Sequence, residues 1–541
     1  MEIGIKSEIP TYAGGLGVLA GDTIRSAADL KIPLVAVTLV SNKGYFRQEL
    51  DAFGNQTETV DEWEPSQFMT LLPAEVSINM QHRDVKIRAW LYNYKSLVGG
   101  RVPIILLDTD VESNAKEDRG ITDFLYGGDY HYRLKQEIVL GIGGVRMLDA
   151  LGFKVRKYHM NEGHSSLLSI ELLNRNNGDV AKVKNLCLFT THTPVEAGHD
   201  KFDYGLVEEL LTEQGDMEIL RKFGGVGRLN MSLLALNLSN YVNGVTKRHS
   251  MISCELFPGY KIQAITNGVH SYTWTSPYFR ELYDRYLPGW ANEPELLVRV
   301  GGIPDDEVWV AHRKAKKALI DEVNSRTGVG MEYEVLTIGF SRRMAEYKRS
   351  TLIFSDLERL KKVNKVGKIQ IIFAGKAHPR DEAGKTLIRD IFKYIKELKD
   401  EIKIVFLENY NMDMAALMVA GVDVWLNTPH RPYEASGTSG MKAAHNGVVN
   451  FSVLDGWWIE GWIEGVTGWA IGPQPDENVT EEESKTRELD DLYNKLYYII
   501  IPMYYNRKDE WLKLINNSIG MVAYYFNSHR MMRRYVTNAY L

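Results

Sequence analysis

Short runs of β-branched and apolar residues alternate with longer stretches of helical period along the whole chain. MEIGI, PLVAVTL, VPIILLD, KNLCLFTTH, YVNGVT and IQAITNG read as strands before Ser271; VLTIGFS, KIQIIFAG, IKIVFLEN, VDVWLNT and VVNFSVL read as strands after Gly330. The runs are continuously apolar, as in strands covered on both faces of a parallel sheet. Helical stretches between them, such as residues 133–150 and 306–326, fit the crossovers that parallel strands need. Two such series predict an α/β protein of two doubly wound, Rossmann-like domains facing across a cleft. Ligands are then expected at the carboxyl ends of the strands. The long polar helix DDEVWVAHRKAKKALIDEVNSRTG sets the expected boundary, with domains over residues 1–330 and 331–541. The final helices, rich in Tyr, Met and Arg (KLYYIIIPMYY, MMRRYV), are candidates to pack back across the junction.

Composition narrows the classes. At 541 residues the chain exceeds what one core usually serves, and 44% hydrophobic with 25% charged is ordinary for a globular protein. A net charge of −6 argues against a sequence-independent nucleic-acid binder. No apolar run approaches the ~18 residues of a membrane span. MEIGIKSEIP lacks the basic region and apolar core of a signal peptide. The two cysteines, Cys187 and Cys254, lie far apart without metal-ligand spacing, and no histidine pair has such spacing either. They read as inert core residues, and a cytoplasmic location is expected.

Four stretches carry candidate chemistry. In EASGTSGMKAAHNG, after the strand VDVWLNT, Gly437 and Gly440 let backbone approach a ligand closely. Met441 to Asn446 suits a short helix with Gly447 at its end. The amides at its start, with the hydroxyls of Ser436, Thr438 and Ser439, would make an anion site. Lys442 would sit at the wrong end of the helix dipole, which favours a neutral amine of the kind that condenses with aldehydes; a solvated lysine on an ordinary turn is the plainer alternative. FSRRMAEYKRS places Arg342, Arg343, Lys348 and Arg349 within one strand-end segment, enough charge for two phosphates unless it is a solvated helix start, with Glu346 a candidate to balance it. PTYAGGLGVLAGD offers Gly14, Gly15 and Gly17 before a helix expected from Val18, without the spacing of a dinucleotide fingerprint. His192 in THTPVEAGHD and His164 in HMNEGHSS are candidates for sugar hydroxyls, though His164 taken alone reads first as a satisfied buried histidine and His192 reads about equally either way.

EASGTSGMK closely resembles the pyridoxal-phosphate lysine motif of the α-glucan phosphorylases, the family of the glycogen, starch and maltodextrin enzymes. GGLGVLAGD, LYGGDYHYRLKQE, NEGHSS, THT, TNGVH, EYKR, AGKAHP and ENYNMDMA occur in that family's order, and the likeness is to its shorter prokaryotic branch. The resemblance implies two Rossmann-like lobes of GT-B type and phosphorolysis of terminal α-1,4-linked glucose to glucose 1-phosphate with retained configuration. The cofactor it implies is pyridoxal 5′-phosphate; the partners are α-1,4-glucan and inorganic phosphate, with no nucleic acid and no membrane, and a homo-oligomer is left open. Carried over by position, Lys442 would hold the cofactor covalently, and Arg342, Thr438 and Ser439 would hold its phosphate. Arg343, Lys348 and the Gly15 backbone would bind the substrate phosphate. Glu434, Ser436, Gly437, His192 and Tyr347 would contact glucose, with Lys442, Arg343, Lys348 and His192 as the catalytic set.

Animal and plant members carry lysine in place of Arg342, histidine in place of Ala345 and arginine in place of Asn411. The first change keeps the charge; the others remove a polar sugar-side contact and a charge. The loop around LYGGDYHYRLKQE is shorter than in those members, with Asp129 as a remnant. Because the chain begins close to its first strand, the regulatory and dimer elements of the animal enzymes are expected to be absent. Two other readings compete. A sugar-nucleotide-dependent glucan synthase would share the architecture but has no use for Lys442, and a non-catalytic glucan binder would not need Arg343, Lys348 and His192 intact.

Overall fold

The structure is a computed structural model that describes residues 1–212 and 215–541. The chain divides into two compact units: Met1–Phe46, Val60–Thr266 and Met531–Leu541 form the first, Arg47–Thr59 and Asn267–Arg530 the second.

In the first unit, strands Gln263–Ala264, Tyr241–Gly244, Cys187–Thr190 and Tyr158–Asn161 lie side by side, all parallel. A second four-stranded sheet pairs Ala36–Leu39 in parallel with Arg101–Asp108, then continues antiparallel through Arg83–Lys95 and Thr70–Met80. Thr70–Met80 alternates exposed and half-buried positions over most of its length, the mark of a sheet face left to solvent; a search for continuous apolar runs passes over it. Between the sheets the helical stretch 130–150 runs through a buried π-helical segment, Val139–Gly143. Its side chains share one core with Leu39, Ile105 and Leu107 of one sheet and Met160 and Phe189 of the other. MEIGI, expected as a strand, joins no sheet. Its backbone is used locally instead, Ile3 N–H donating to Thr11 O at 2.9 Å and Gly4 N–H to Gly17 O at 2.7 Å, so it backs the glycine turn. The helix after that turn begins at Gly15, ahead of the expected Val18, and runs to Asp29. Within this unit the chain's last segment supplies Tyr540, bonded to His159 Nδ1 at 2.9 Å, and Tyr535, whose hydroxyl accepts from Asn243 Nδ2 at 3.1 Å.

The second unit is built on a six-stranded sheet, parallel throughout. Its order is Lys403–Leu407, Ile369–Ala374, Leu336–Ser341, Val424–Asn427, Val449–Val453, Gly468–Ile471. The chain winds outward from Leu336–Ser341 in one direction and then restarts beside it in the other. The crevice between Leu336–Ser341 and Val424–Asn427 is therefore the topological switch point.

The division between units lies at Thr266/Asn267, not near residue 330. The polar helix expected to mark the boundary, Asp305–Thr327, belongs to the second unit. Its buried face carries Val308, Ala311, Ala315, Leu319 and Val323. Within that face Lys316 Nζ lies 2.5 Å from Asp423 Oδ2 and 2.7 Å from Val335 O. His312 Nε2 meets Asp423 Oδ1 at 2.9 Å, and Thr337 N–H donates to Asp423 Oδ2 at 2.7 Å. Burial would raise the Asp423 carboxyl's pKa, but Lys316 and His312 together hold it below the usual value. A helix whose charge is neutralised at the central strands cannot be a linker.

Asp423→Ala would leave Lys316 buried without its counter-ion. A destabilisation of about 3–5 kcal/mol is expected, read as a lower denaturation midpoint of the second unit in urea.

Candidate active site

Three strand ends of the second unit supply the site. The segment after Leu336–Ser341 carries Arg342, Arg343, Tyr347 and Lys348, ending in a 3-10 turn over Glu346–Lys348. The loop after Val424–Asn427 carries Glu434 to Thr438 and leads into the helix Ser439–Ala444. The turn after Val449–Val453 carries Asp455 and Gly456. Two of these strands flank the switch point, where the diverging crossovers leave the strand ends uncovered.

The centre is electrostatic. Glu434 Oε2 lies 2.5 Å from Lys348 Nζ and 2.8 Å from Arg342 Nη2. Arg342 also donates to Asn427 Oδ1, so one guanidinium spans both strands of the switch point. Burial opposes the Glu434 charge, yet Arg342, Lys348 and then Arg343 outweigh it and hold the carboxyl below its ordinary pKa. Burial likewise pushes Tyr347 upward, but Lys348, 4.5 Å from its ring, and the two arginines bring its hydroxyl below the usual value. Arg343 is exposed, and Glu346, expected to balance the cluster, is also exposed; the balancing carboxylate is Glu434. Arg349 takes no part. It turns through a φ of +47°, clamps Thr428 O and Pro429 O at 2.9 and 2.8 Å, and pairs with Glu488 at 2.5 Å. The expected group of four cations is a group of three.

The loop is shaped by the turn beneath it. Glu434 N–H donates to Asp455 Oδ2 at 2.9 Å and Trp457 N–H to Ser436 O at 2.9 Å. Gly456 takes φ +55°, and a Cβ there would stand 2.3 Å from Ser436 O, so no other residue fits the approach. Gly437 takes φ +70° over Arg342 and Glu434, and Ser439 Oγ accepts from Trp425 Nε1 at 3.0 Å. Asp455 is the carboxylate that sequence reasoning missed, although its place after a strand and before a glycine was the available signal. Burial and the neighbouring Glu434 charge push its pKa up to about 7, against the pull of the Glu434 and Gly456 amides.

Lys442 is buried in the helix Ser439–Ala444, its Nζ 3.9 Å from the centroid of the Trp274 ring. Trp274 is held there because Asn446 Nδ2 donates to Trp274 O at 2.8 Å and Ser271 Oγ meets His445 Nε2 at 2.8 Å. Gly447 takes φ +69° and ends the helix. The dipole argument fails, however: six residues give too short a helix for separate ends, and Lys442 is as near its last turn as its first.

In the first unit His192 follows the strand Cys187–Thr190. Its Nε2 lies 2.6 Å from Asn161 Oδ1 and its N–H donates to Glu162 Oε2 at 2.8 Å. Burial, helped by His249 and His159, lowers its pKa to about 3, so the ring is neutral. His164 is buried, with Nε2 3.7 Å from Asp200, and burial places its pKa well below the usual value. Gly15 is exposed at the start of its helix, while the amides of Ala13 and Gly14 donate to Glu2 Oε2 at 2.6 and 3.1 Å. Asp129, the expected loop remnant, caps a helix by accepting from Tyr132 N–H at 2.9 Å. Cys187 and Cys254 are free thiols, the first buried and the second half-buried. Among the described residues no helix is long and apolar enough to cross a membrane.

Fold and charge pattern define an α/β protein of Rossmann type with a cationic centre at a switch point beside a buried lysine. The chain belongs to the carbohydrate phosphorylase family. The family model for carbohydrate phosphorylases matches residues 207–468. The whole chain aligns with maltodextrin phosphorylase of Thermococcus litoralis at 42% identity over 70% of that protein. It aligns equally fully with glycogen phosphorylase of Mycobacterium tuberculosis at 35% over 70%, and with that of Aquifex aeolicus at 34% over 85%.

A carboxyl whose folded pKa lies above its unfolded one favours the fold when protonated. Asp455 therefore costs stability progressively as pH rises from about 4 to about 7. Asp455→Asn is expected to flatten the fall in denaturation midpoint across that window.

Proposed function

We propose that the chain is an α-glucan phosphorylase. It cleaves terminal α-1,4-linked glucose from glycogen, starch or maltodextrin with inorganic phosphate and releases glucose 1-phosphate with retained configuration. The observation that carries this reading is half-buried Arg342 and buried Lys348 closed on the buried carboxylate of Glu434, with Arg343 adding its charge. A guanidinium and an ammonium converging at one strand end suit an added anion, and arginine suits phosphate in particular.

Pyridoxal 5′-phosphate fits the residues present. Lys442 offers a buried primary amine against an aromatic ring, and Thr438, Ser439 and Arg342 offer hydroxyls and a guanidinium of the kind a phosphate ester needs. When bound, the cofactor supplies a phosphate group able to exchange a proton with the substrate phosphate. Arg343, Lys348 and the Gly15 backbone are assigned to the substrate phosphate, where they offset the repulsion of two anions held close together. Glu434, Ser436, Gly437, Tyr347 and His192 are assigned to the glucose, with His192 acting as a neutral partner for a hydroxyl. Because phosphate itself protonates the glycosidic oxygen and then captures the sugar carbon on the same face, no pair of glycosidase carboxylates is required.

Lys442→Ala is expected to purify without cofactor absorbance. Borohydride treatment of the unmodified protein, followed by peptide mapping, should place the reduced adduct on Lys442; an adduct elsewhere contradicts the assignment. Lys348→Ala should raise the phosphate KM roughly ten- to hundredfold, which corresponds to ~1.5–3 kcal/mol for a charged hydrogen bond. An unchanged phosphate dependence would remove Lys348 from that site.

A further inference from the structure

His192 is held from two sides by consecutive residues at the end of the strand Tyr158–Asn161. Asn161 Oδ1 is 2.6 Å from the ring Nε2. Glu162 never touches the ring; it holds the backbone, its Oε2 accepting from His192 N–H at 2.8 Å and from Thr193 Oγ1 at 2.9 Å. Its other oxygen accepts from Gly163 N–H at 3.2 Å. Glu162 does this at φ +70° and ψ 172°, a region that side-chain-bearing residues almost never occupy. Such a backbone persists only where its surroundings over-determine it, and here three donors converge on one buried carboxylate.

We infer that Asn161 and Glu162 are positioning residues for His192: Glu162 fixes its backbone, and Asn161 locks its ring into a single neutral tautomer, with Nε2–H committed to Asn161 and Nδ1 presented as the acceptor for a sugar hydroxyl. An amide oxygen has no proton to give, so a ring nitrogen 2.6 Å from it must carry one. The other nitrogen of a neutral imidazole then carries the lone pair. The titratable groups that act on the ring are His159 from the adjacent strand, His249 from the helix Lys247–Leu256, and His164, while Glu162 meets the His192 backbone. Burial keeps the nearby histidines below their ordinary pKa, His159 and His249 at about 4. Among the described residues no cation is bonded to Asn161 Oδ1 and no carboxylate to His192 Nε2. This inference rests on the phosphorylase reading only for what His192 contacts; the tautomer stands on geometry alone.

Protein labelled with 15N-histidine, with the His192 resonances assigned by their loss in His192→Gln, reads the tautomer directly. The expected spectrum shows the Nε2–H form across pH 5 to 8, and an Nδ1–H form would overturn the inference. Asn161→Asp is nearly isosteric and replaces the neutral acceptor with an anion. It should raise the His192 pKa by about one to three pH units and move the acid limb of kcat/KM for a linear maltodextrin by a similar amount. A His192 titration unchanged from the parent protein would also overturn the inference. Glu162→Gln, which keeps the volume but not all the acceptors, should raise the maltodextrin KM several-fold while the phosphate KM stays put. Equal changes in both would show that Glu162 supports the fold at large and not His192. If the parent protein performs no phosphorolysis, the proposed function falls, while the tautomer measurement still decides the positioning role.

Discussion

A single carboxylate, Glu434, reconciles two demands that conflict at the switch point of the second unit. Strand order puts two loop origins side by side, and the sequence loads one with Arg342, Arg343 and Lys348. Like charges brought together in a buried place repel strongly. By accepting Lys348 at 2.5 Å and Arg342 at 2.8 Å, Glu434 fixes both cations where the strands end. It also ties the segment after Ser341 to the loop after Asn427. Asp455 shows what happens without such partners. Among the described residues its Oδ1 and Oδ2 accept the Gly456 and Glu434 backbone amides, and it is pushed up to about 7, whereas Glu434 is held down. Two buried carboxyls thus take opposite protonation behaviour because the cations are spent on one of them.

Much of this was legible in the sequence, for a definite reason. Continuous apolar strands, such as VLTIGFS and KIQIIFAG, carry their own signature because both faces are buried. The residues after them fall at carboxyl ends by construction, which located Arg342, Lys348, Lys442 and His192, whereas Glu434 entered only through the family resemblance. Thr70–Met80 was hidden because one face meets solvent and its apolar positions are diluted. The unit boundary was misplaced because a helix rich in Asp, Glu, Lys and Arg looks like a linker until Lys316 and His312 are seen around Asp423. Charge partners are long-range facts: nothing local in EYKRS tells Lys348, which binds Glu434, from Arg349, which binds Glu488.

The lysine motif shows a different limit. Gly437 and Gly440 are expected to let backbone approach a ligand, but at Gly440 the close approach is internal: a Cβ there would stand 2.2 Å from Asn450 Oδ1 and 2.7 Å from the Trp457 ring. The dipole reasoning attached to Lys442 was sound physics applied to a helix too short to have it. Ring contact with Trp274 and burial surround the amine instead, and Trp274 lies far from Lys442 in the sequence.

Glu434 and His192, each proposed to bind substrate, are held in opposite charge states. In the second unit Arg342, Lys348 and Arg343 hold Glu434 anionic, while Asp455 nearby is pushed up to about 7. In the first unit burial drives His192 to about 3, and His159 and His249 to about 4, so all three rings are uncharged at neutral pH. A protonated imidazole attracts anions, phosphate among them. A neutral ring bonded to Asn161 has no such pull and discriminates by hydrogen-bond direction alone. Desolvation, usually counted as a cost to charged groups, here keeps the histidine proposed to bind sugar uncharged.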